Sequence, residues 1–352
     1  MEKRIRSLVE DGAVNACVVV SKTESKKALD NLARCMHAFC GEERYVGRII
    51  SEGGVKLLIT LFKECTAEGK IKAAHGLARL GAHSDPDEAF HGQRAFEVVK
   101  PMVELLHPEV DGRANYDALL TLTNLASKKD EKGNQLRRRI LKEKAIPRAE
   151  EFWFDTSHEF LRAAAAEFLL NMLSLDEFFK QMIEVCASVG DSILLNLCLI
   201  QPGSDRVKLW VLYCAEDQER LQLASSAGFA VLTGDEGVCA RILEEIKSWP
   251  ELLPELAMSE HPEVQYRCLM VSAMLCLCLV THHHNFQAIA NMVASSEKVA
   301  SELMAVSNEN LLIFYHQHPN FRRNFFDSSS LLLSWTLVMT EERVPRRKLK
   351  GR

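Results

Sequence analysis

The feature that most constrains this chain is a recurrence at a nearly fixed interval. Glu10-Asp11-Gly12-Ala13-Val14 returns as Ser51-Glu52-Gly53-Gly54-Val55, an offset of 41, and Lys142-Glu143-Lys144-Ala145-Ile146 ends 91 residues after Val55. Each block stands between helical stretches, where glycine lets the chain turn sharply. The first two then open apolar helices over 14–20 and 55–62. The helix between the second and third blocks, 99–106, is expected to be entered through Pro101, whose fixed φ suits a first helical turn. A second set of helices keeps the same interval. Residues 72–81 precede 117–126 by 45, and Asn171, in the helix over 161–173, follows Asn124 by 47. Helical units of this length bury their faces only by stacking on one another. The spacing therefore predicts an all-α fold, an armadillo/HEAT-like right-handed α-solenoid whose inner helices line a long concave groove.

Residues 116–127 form the central inner helix of that array. Ala118, Leu119, Leu122, Leu125 and Ala126 share one apolar face, and Asp117, Thr121 and Asn124 make a polar stripe elsewhere on the surface. If the repeats stack, this stripe and its equivalents should face the groove: His75 and Arg79 one repeat earlier, Glu167 and Asn171 one repeat later. Arg113, Asn115 and Tyr116 stand at the entrance to the helix, and exposed Tyr and Arg are typical interface anchors. For Asn124 and Asn171 the alternative is that they tie adjacent repeats together. Phe152-Trp153-Phe154 is expected in the core.

The interval then fails. From Met172 to its counterpart Leu232 is 60 residues, and the surplus coincides with 185–201, a largely apolar run read as an insertion. Past Pro262 the pattern weakens. The expected organisation is a solenoid over 1–267 with that insertion, a poorly matching helical continuation over 268–313, and an atypical tail over 314–352.

Chemistry is sparse. A net charge of −5 argues against a nucleic-acid partner. The longest apolar run, 268–280, falls short of the roughly 18 residues of a membrane span. Met1-Glu2-Lys3-Arg4 leads into no apolar leader segment, and eleven scattered cysteines suit buried free thiols in a reducing, cytoplasmic compartment. No Gly-x-Ser-x-Gly, His-Glu-x-x-His or Cys-x-x-Cys pattern occurs, and the glycines at 41 and 47 do not frame a phosphate loop. His282-His283-His284, near Cys276 and Cys278, lacks a second pair at ligand spacing. Neither an enzyme, a cofactor nor a metal is expected.

Longer strings carry a resemblance. Lys100-Pro101-Met102-Val103-Glu104-Leu105-Leu106-His107-Pro108 with Gly112-Arg113-Ala114-Asn115-Tyr116-Asp117-Ala118-Leu119 is similar to the UCS-domain myosin chaperones. So are Arg138-Arg139-Ile140-Leu141-Lys142-Glu143-Lys144-Ala145-Ile146-Pro147, Leu161-Arg162-Ala163-Ala164-Ala165-Ala166-Glu167 and Val207-Lys208-Leu209-Trp210-Val211-Leu212-Tyr213. The resemblance covers most of 1–267 and, more weakly, 288–312. It implies an armadillo-repeat protein that binds the myosin motor domain and assists its folding and assembly. It also implies work alongside Hsp90, through a tetratricopeptide module that metazoan members carry ahead of the repeats and that this sequence lacks. Residues 185–201 and 268–287 interrupt the match, and the end departs from it at Phe314, as in a short isoform or a partial product. The competing reading is an armadillo adaptor for another peptide. Its nuclear-import version is disfavoured, because no tryptophan here has an asparagine four residues on.

Overall fold

The computed structural model describes residues 2–183, 206–245 and 249–282. Among them no strand occurs, and eighteen α-helices fall into six triplets. The first is α1 (Glu2–Glu10), α2 (Ala13–Val20) and α3 (Lys26–Cys40); the second is α4 (Val46–Ser51), α5 (Gly54–Glu64) and α6 (Ala67–Ala82). Then come α7 (Pro86–Ala89), α8 (Arg94–Leu105) and α9 (Gly112–Ala126), followed by α10 (Glu131–Lys142), α11 (Ala145–Phe154) and α12 (Glu159–Met172). The fifth is α13 (Asp176–Ile183), α14 (Arg206–Leu212) and α15 (Glu219–Leu232), and the sixth is α16 (Glu236–Glu245), α17 (Trp249–Ala257) and α18 (Pro262–His282). The third helices stack in chain order, α3 on α6, α6 on α9, α9 on α12, α12 on α15 and α15 on α18. The second helices α5, α8, α11 and α14 each pack on the third helix of their own triplet. This is an armadillo-type solenoid.

Local chemistry explains the triplet boundaries. The residue before α2 is Gly12 (φ 87°), before α5 Gly53 (φ 88°) and before α11 Lys144 (φ 61°). All three are left-handed, so the recurring blocks mark one sharp turn between first and second helices. Two of them use the residue that adopts it without steric cost. Ser25 caps α3, Asp111 caps α9 and Asp130 caps α10, each side chain accepting from a backbone N–H of the first turn.

Two sequence expectations need correction. Helix α8 starts at Arg94, and Pro101 lies inside it instead of at its entrance. Proline there forgoes the bond to the Glu97 carbonyl, and the fully buried Val98, Val99 and Met102 on either side compensate through packing. The central helix α9 starts at Gly112, four residues ahead of Tyr116, because the Asp111 carboxylate accepts from the Arg113 N–H at 2.8 Å. Arg113, Asn115 and Tyr116 are therefore helical residues of its first turns.

The stack runs on across the long step in spacing. Helix α12 lies directly on α15. Trp153 of α11 and Trp210 of α14 meet with ring centroids 5.0 Å apart, and the Tyr213 hydroxyl donates to the Trp153 carbonyl at 2.9 Å. Gly228 of α15 lets the Trp210 ring lie against its backbone, where a methyl group would overlap it. Phe152, Trp153 and Phe154 are all buried. The expected insertion at 185–201 lies outside the described residues, as do the tail at 314–352 and His283 and His284. The expected boundary at 267 falls inside α18. Among the cysteines whose side chains are described, Cys35 is exposed and the others are buried thiols, and burial pushes the Cys40 thiol up to about 12.

Candidate functional site

Polar side chains on the inner helices do two kinds of work. The first is internal. His37 of α3, His75 of α6 and Asp117 of α9 form a chain through three triplets: His37 Nε2 lies 3.0 Å from His75 Nδ1, and His75 Nε2 lies 3.3 Å from an Asp117 carboxylate oxygen. Asp117 can only accept, so His75 donates from Nε2 and accepts at Nδ1, and His37 donates from Nε2. Burial, with His75, Lys72 and Arg79 close by, lowers the His37 pKa to about 4. Arg79 donates to the Cys40 carbonyl at 3.1 Å and the Gly41 carbonyl at 3.2 Å, placing a cation at the C-terminal end of α3. Thr121 Oγ1 lies 2.8 Å from the Ala78 carbonyl, and the Asn124 amide donates to Gly81 at 3.1 Å. One triplet on, the Asn171 amide donates to the Thr123 carbonyl at 3.4 Å.

His75, Arg79, Asp117 and Thr121 were expected to face the groove, and the structure buries all four between helices. Asn115 is buried as well, 1% exposed, and holds the α8–α9 loop. Its amide donates to Val110 O at 3.0 Å while its oxygen accepts from the His107 N–H at 3.2 Å. Asn124 and Asn171 are half-buried and tie adjacent repeats, the alternative weighed for them. The physical reason is angular. At 100° per residue, Asp117, Thr121 and Asn124 reach toward α6, whereas Arg113, Tyr116 and Leu120 lie on the open side of α9.

The second kind of work happens on that open side. Arg220 of α15 donates to both Glu167 carboxylate oxygens of α12, at 2.9 and 2.6 Å, and to the Tyr116 hydroxyl of α9 at 2.6 Å. Its guanidinium carbon also lies 5.6 Å from the Tyr116 ring centre. The bond to Glu167, then that to Tyr116, raises the pKa of Arg220 further. Beside this cluster Arg113 is exposed, and Phe160, two turns before Glu167 on α12, is 70% exposed. Of the residues named from sequence, Arg113, Tyr116 and Glu167 thus reach the open face. Arg220 and Phe160 were missed. Phe160 had a signal, since it stands 47 after Arg113, the interval that relates Asn171 to Asn124. Arg220 had none, because the surplus residues between α13 and α14 put it out of register. Among the described residues no cluster of His, Cys, Asp and Glu could hold a metal ion. No described helix is long and apolar enough to cross a membrane.

Fold and surface together define an armadillo-type solenoid that presents a mixed aromatic and charged face. Designed armadillo repeat proteins share the fold, for example one at 15% identity with a TM-score of 0.52 over 74% of the chain. The chain is homologous to the UNC-45 family over most of its length. Mouse protein unc-45 homolog B is 35% identical over 328 residues, covering 92% of this chain and 31% of the relative. The human homolog B is 36% identical over 277 residues, 77% of this chain and 27% of the relative. A structure of the UNC-45 chaperone, described by features critical for binding and folding muscle myosin, superposes with a TM-score of 0.71 at 51% identity. It covers 86% of this chain and 33% of that one. UNC-45 from C. elegans in complex with an Hsp90 peptide matches with a TM-score of 0.69 at 51% identity, over 84% of this chain and 33% of that one. The chain thus spans about a third of the length of these relatives. No family model matches it.

Proposed function

We propose that this chain binds a myosin motor domain along the open face of its inner helices and acts as a chaperone in its folding and assembly. The observation that supports this reading most is the 51% identity to a UNC-45 chaperone described by its binding and folding of muscle myosin. The open face adds residue-level support. Phe160 offers an uncovered aromatic anchor, Arg113 an exposed cation, and Tyr116, Glu167 and Arg220 a polar cluster already held in place, so little side-chain freedom is lost on binding. Stacked repeats curve, and such a face forms the concave surface that solenoids use for extended partners. The chain then works by binding and not by catalysis, in the cytoplasm with its client. An Hsp90 or Hsp70 peptide, each present in a complex of C. elegans UNC-45, is the second partner to test.

The decisive assay mixes the purified chain with a myosin head and follows both co-sedimentation and heat-induced aggregation. Binding and suppression of aggregation are expected. Phe160→Ala combined with Arg113→Glu should reduce both severalfold with helicity unchanged, since both side chains are exposed. A chain that neither binds the head nor protects it removes the reading. Retained binding in the double variant removes the open face as its site.

A further inference from the structure

A pocket separate from the myosin-facing surface lies where α5, α6, α8 and α11 converge. It encloses about 310 Å³, enough for one large side chain and its flanking backbone. Its walls are apolar, made of Phe62, Ala67, Ile71, Ala74 and Leu105, and Ile71 is 45% exposed. Its charges are uneven. Lys70 and Arg148 line it together with one carboxylate, Glu104, which stands 3.9 Å from Lys100 outside the pocket. Among the described residues Lys70 reaches no carboxylate within ion-pair distance. Arg148 spends Nη1 on the Val103 and Leu106 carbonyls at the end of α8, which fixes its guanidinium without neutralising its charge.

We infer that this pocket docks an extended peptide segment of a partner, one that places a bulky apolar side chain beside an acidic residue. The apolar side chain fills the space between Phe62, Ile71 and Leu105. The carboxylate meets Lys70 and Arg148, of which the single Glu104 can offset only one. An anchored guanidinium beside a free ammonium is a fitting receptor for a carboxylate. The apolar walls supply the affinity that an exposed ion pair alone lacks. This site is independent of the open face.

The test uses the whole chain and a fluorescein-labelled, blocked tetrapeptide of glycine, aspartate, phenylalanine and glycine, read by anisotropy. Two analogues replace the aspartate by lysine or the phenylalanine by serine. The parent peptide should bind, and each analogue should bind about tenfold more weakly. Lys70→Glu and Ile71→Asp, both at exposed or half-buried positions, should each cause a similar loss with an unchanged far-ultraviolet circular dichroism spectrum. Arg113→Glu, on the open face, should leave binding as it is. The inference is overturned by equal binding of the lysine analogue, by indifference to both pocket substitutions, by loss in the Arg113 variant alone, or by no binding of the parent peptide.

Discussion

The interfaces on the two sides of α9 solve one problem by different means. Between α3, α6 and α9 the helices are joined by buried hydrogen bonds: His37 to His75 to Asp117, Arg79 to the end of α3, and Thr121 and Asn124 to carbonyls of α6. Between α9, α12 and α15 the buried layer is built mainly of small side chains, alanines on α12 and Ser225 and Ser226 on α15. Ala163, Ala164, Ala165 and Ala166 are all fully buried, and the charged contacts move outward to Tyr116, Glu167 and Arg220 on the open face. A buried polar network must be satisfied by specific partners, so it fixes the register of one repeat on the next but leaves nothing over for a ligand. Alanine packing fixes distance without using polar groups, which frees the charged residues to stand where a partner can reach them.

The largest test of this contrast is Asp117→Ala. It strands the His75 Nε2–H in a buried site and should cost about 2–3 kcal/mol of stability, measured by urea denaturation. A loss under about 0.5 kcal/mol would mean that the interface between α6 and α9 does not depend on its hydrogen bonds. Acidification comes next. His37 has a folded pKa of about 4 against an ordinary value of 6.5, so between these the unfolded chain binds the proton more readily. Stability from this group is complete above pH 6.5 and is lost as pH falls toward 4. Moving from pH 7 to pH 5 should therefore cost about 1–2 kcal/mol, and His37→Gln should flatten that dependence. An unchanged slope in the variant would assign the effect to other groups.

Glu167→Gln should be milder, about 1 kcal/mol, because Glu167 and Arg220 are partly exposed, with side chains 26% and 34% accessible, and solvent screens them. Its effect should shrink in high salt, whereas that of Asp117→Ala should persist. Equal salt sensitivity of the two would erase the distinction between the interfaces. The smallest change tests the turn shared by the first, second and fourth triplets. Lys144 holds φ 61°, where Gly12 and Gly53 stand in earlier repeats, so Lys144→Gly should stabilise by about 0.5–1 kcal/mol. A lowered midpoint would show that the Lys144 side chain makes a compensating contact.

Much of the fold was legible because its signals are one-dimensional. The turns at Gly12, Gly53 and Lys144 recur along the chain, and a leucine or alanine at the buried positions of α9 recurs in α6 and α12. Pro101 misled because proline is a local signal for a helix start, and the burial of Val98, Val99 and Met102 that overrides it is tertiary. The surface was only partly legible. Tyr116 and Arg113 were found by type, and Glu167 by position. Arg220 contacts Tyr116 from 104 residues away, across a step that breaks the interval, so no spacing could announce it.

The sequence by itself determined that this chain is a stack of helical repeats, since period and apolar pattern belong to each helix and need no partner to be read; that each repeat holds three helices came from the structure. The sequence also determined the family, through strings long enough to be specific. Only the tertiary structure decided which polar residues hold the stack and which look outward. Tyr116 and Asp117 are adjacent in sequence and 100° apart on the helix. One joins an open cluster and the other ends in a buried chain, because α6 stands on one side of α9 and open space on the other.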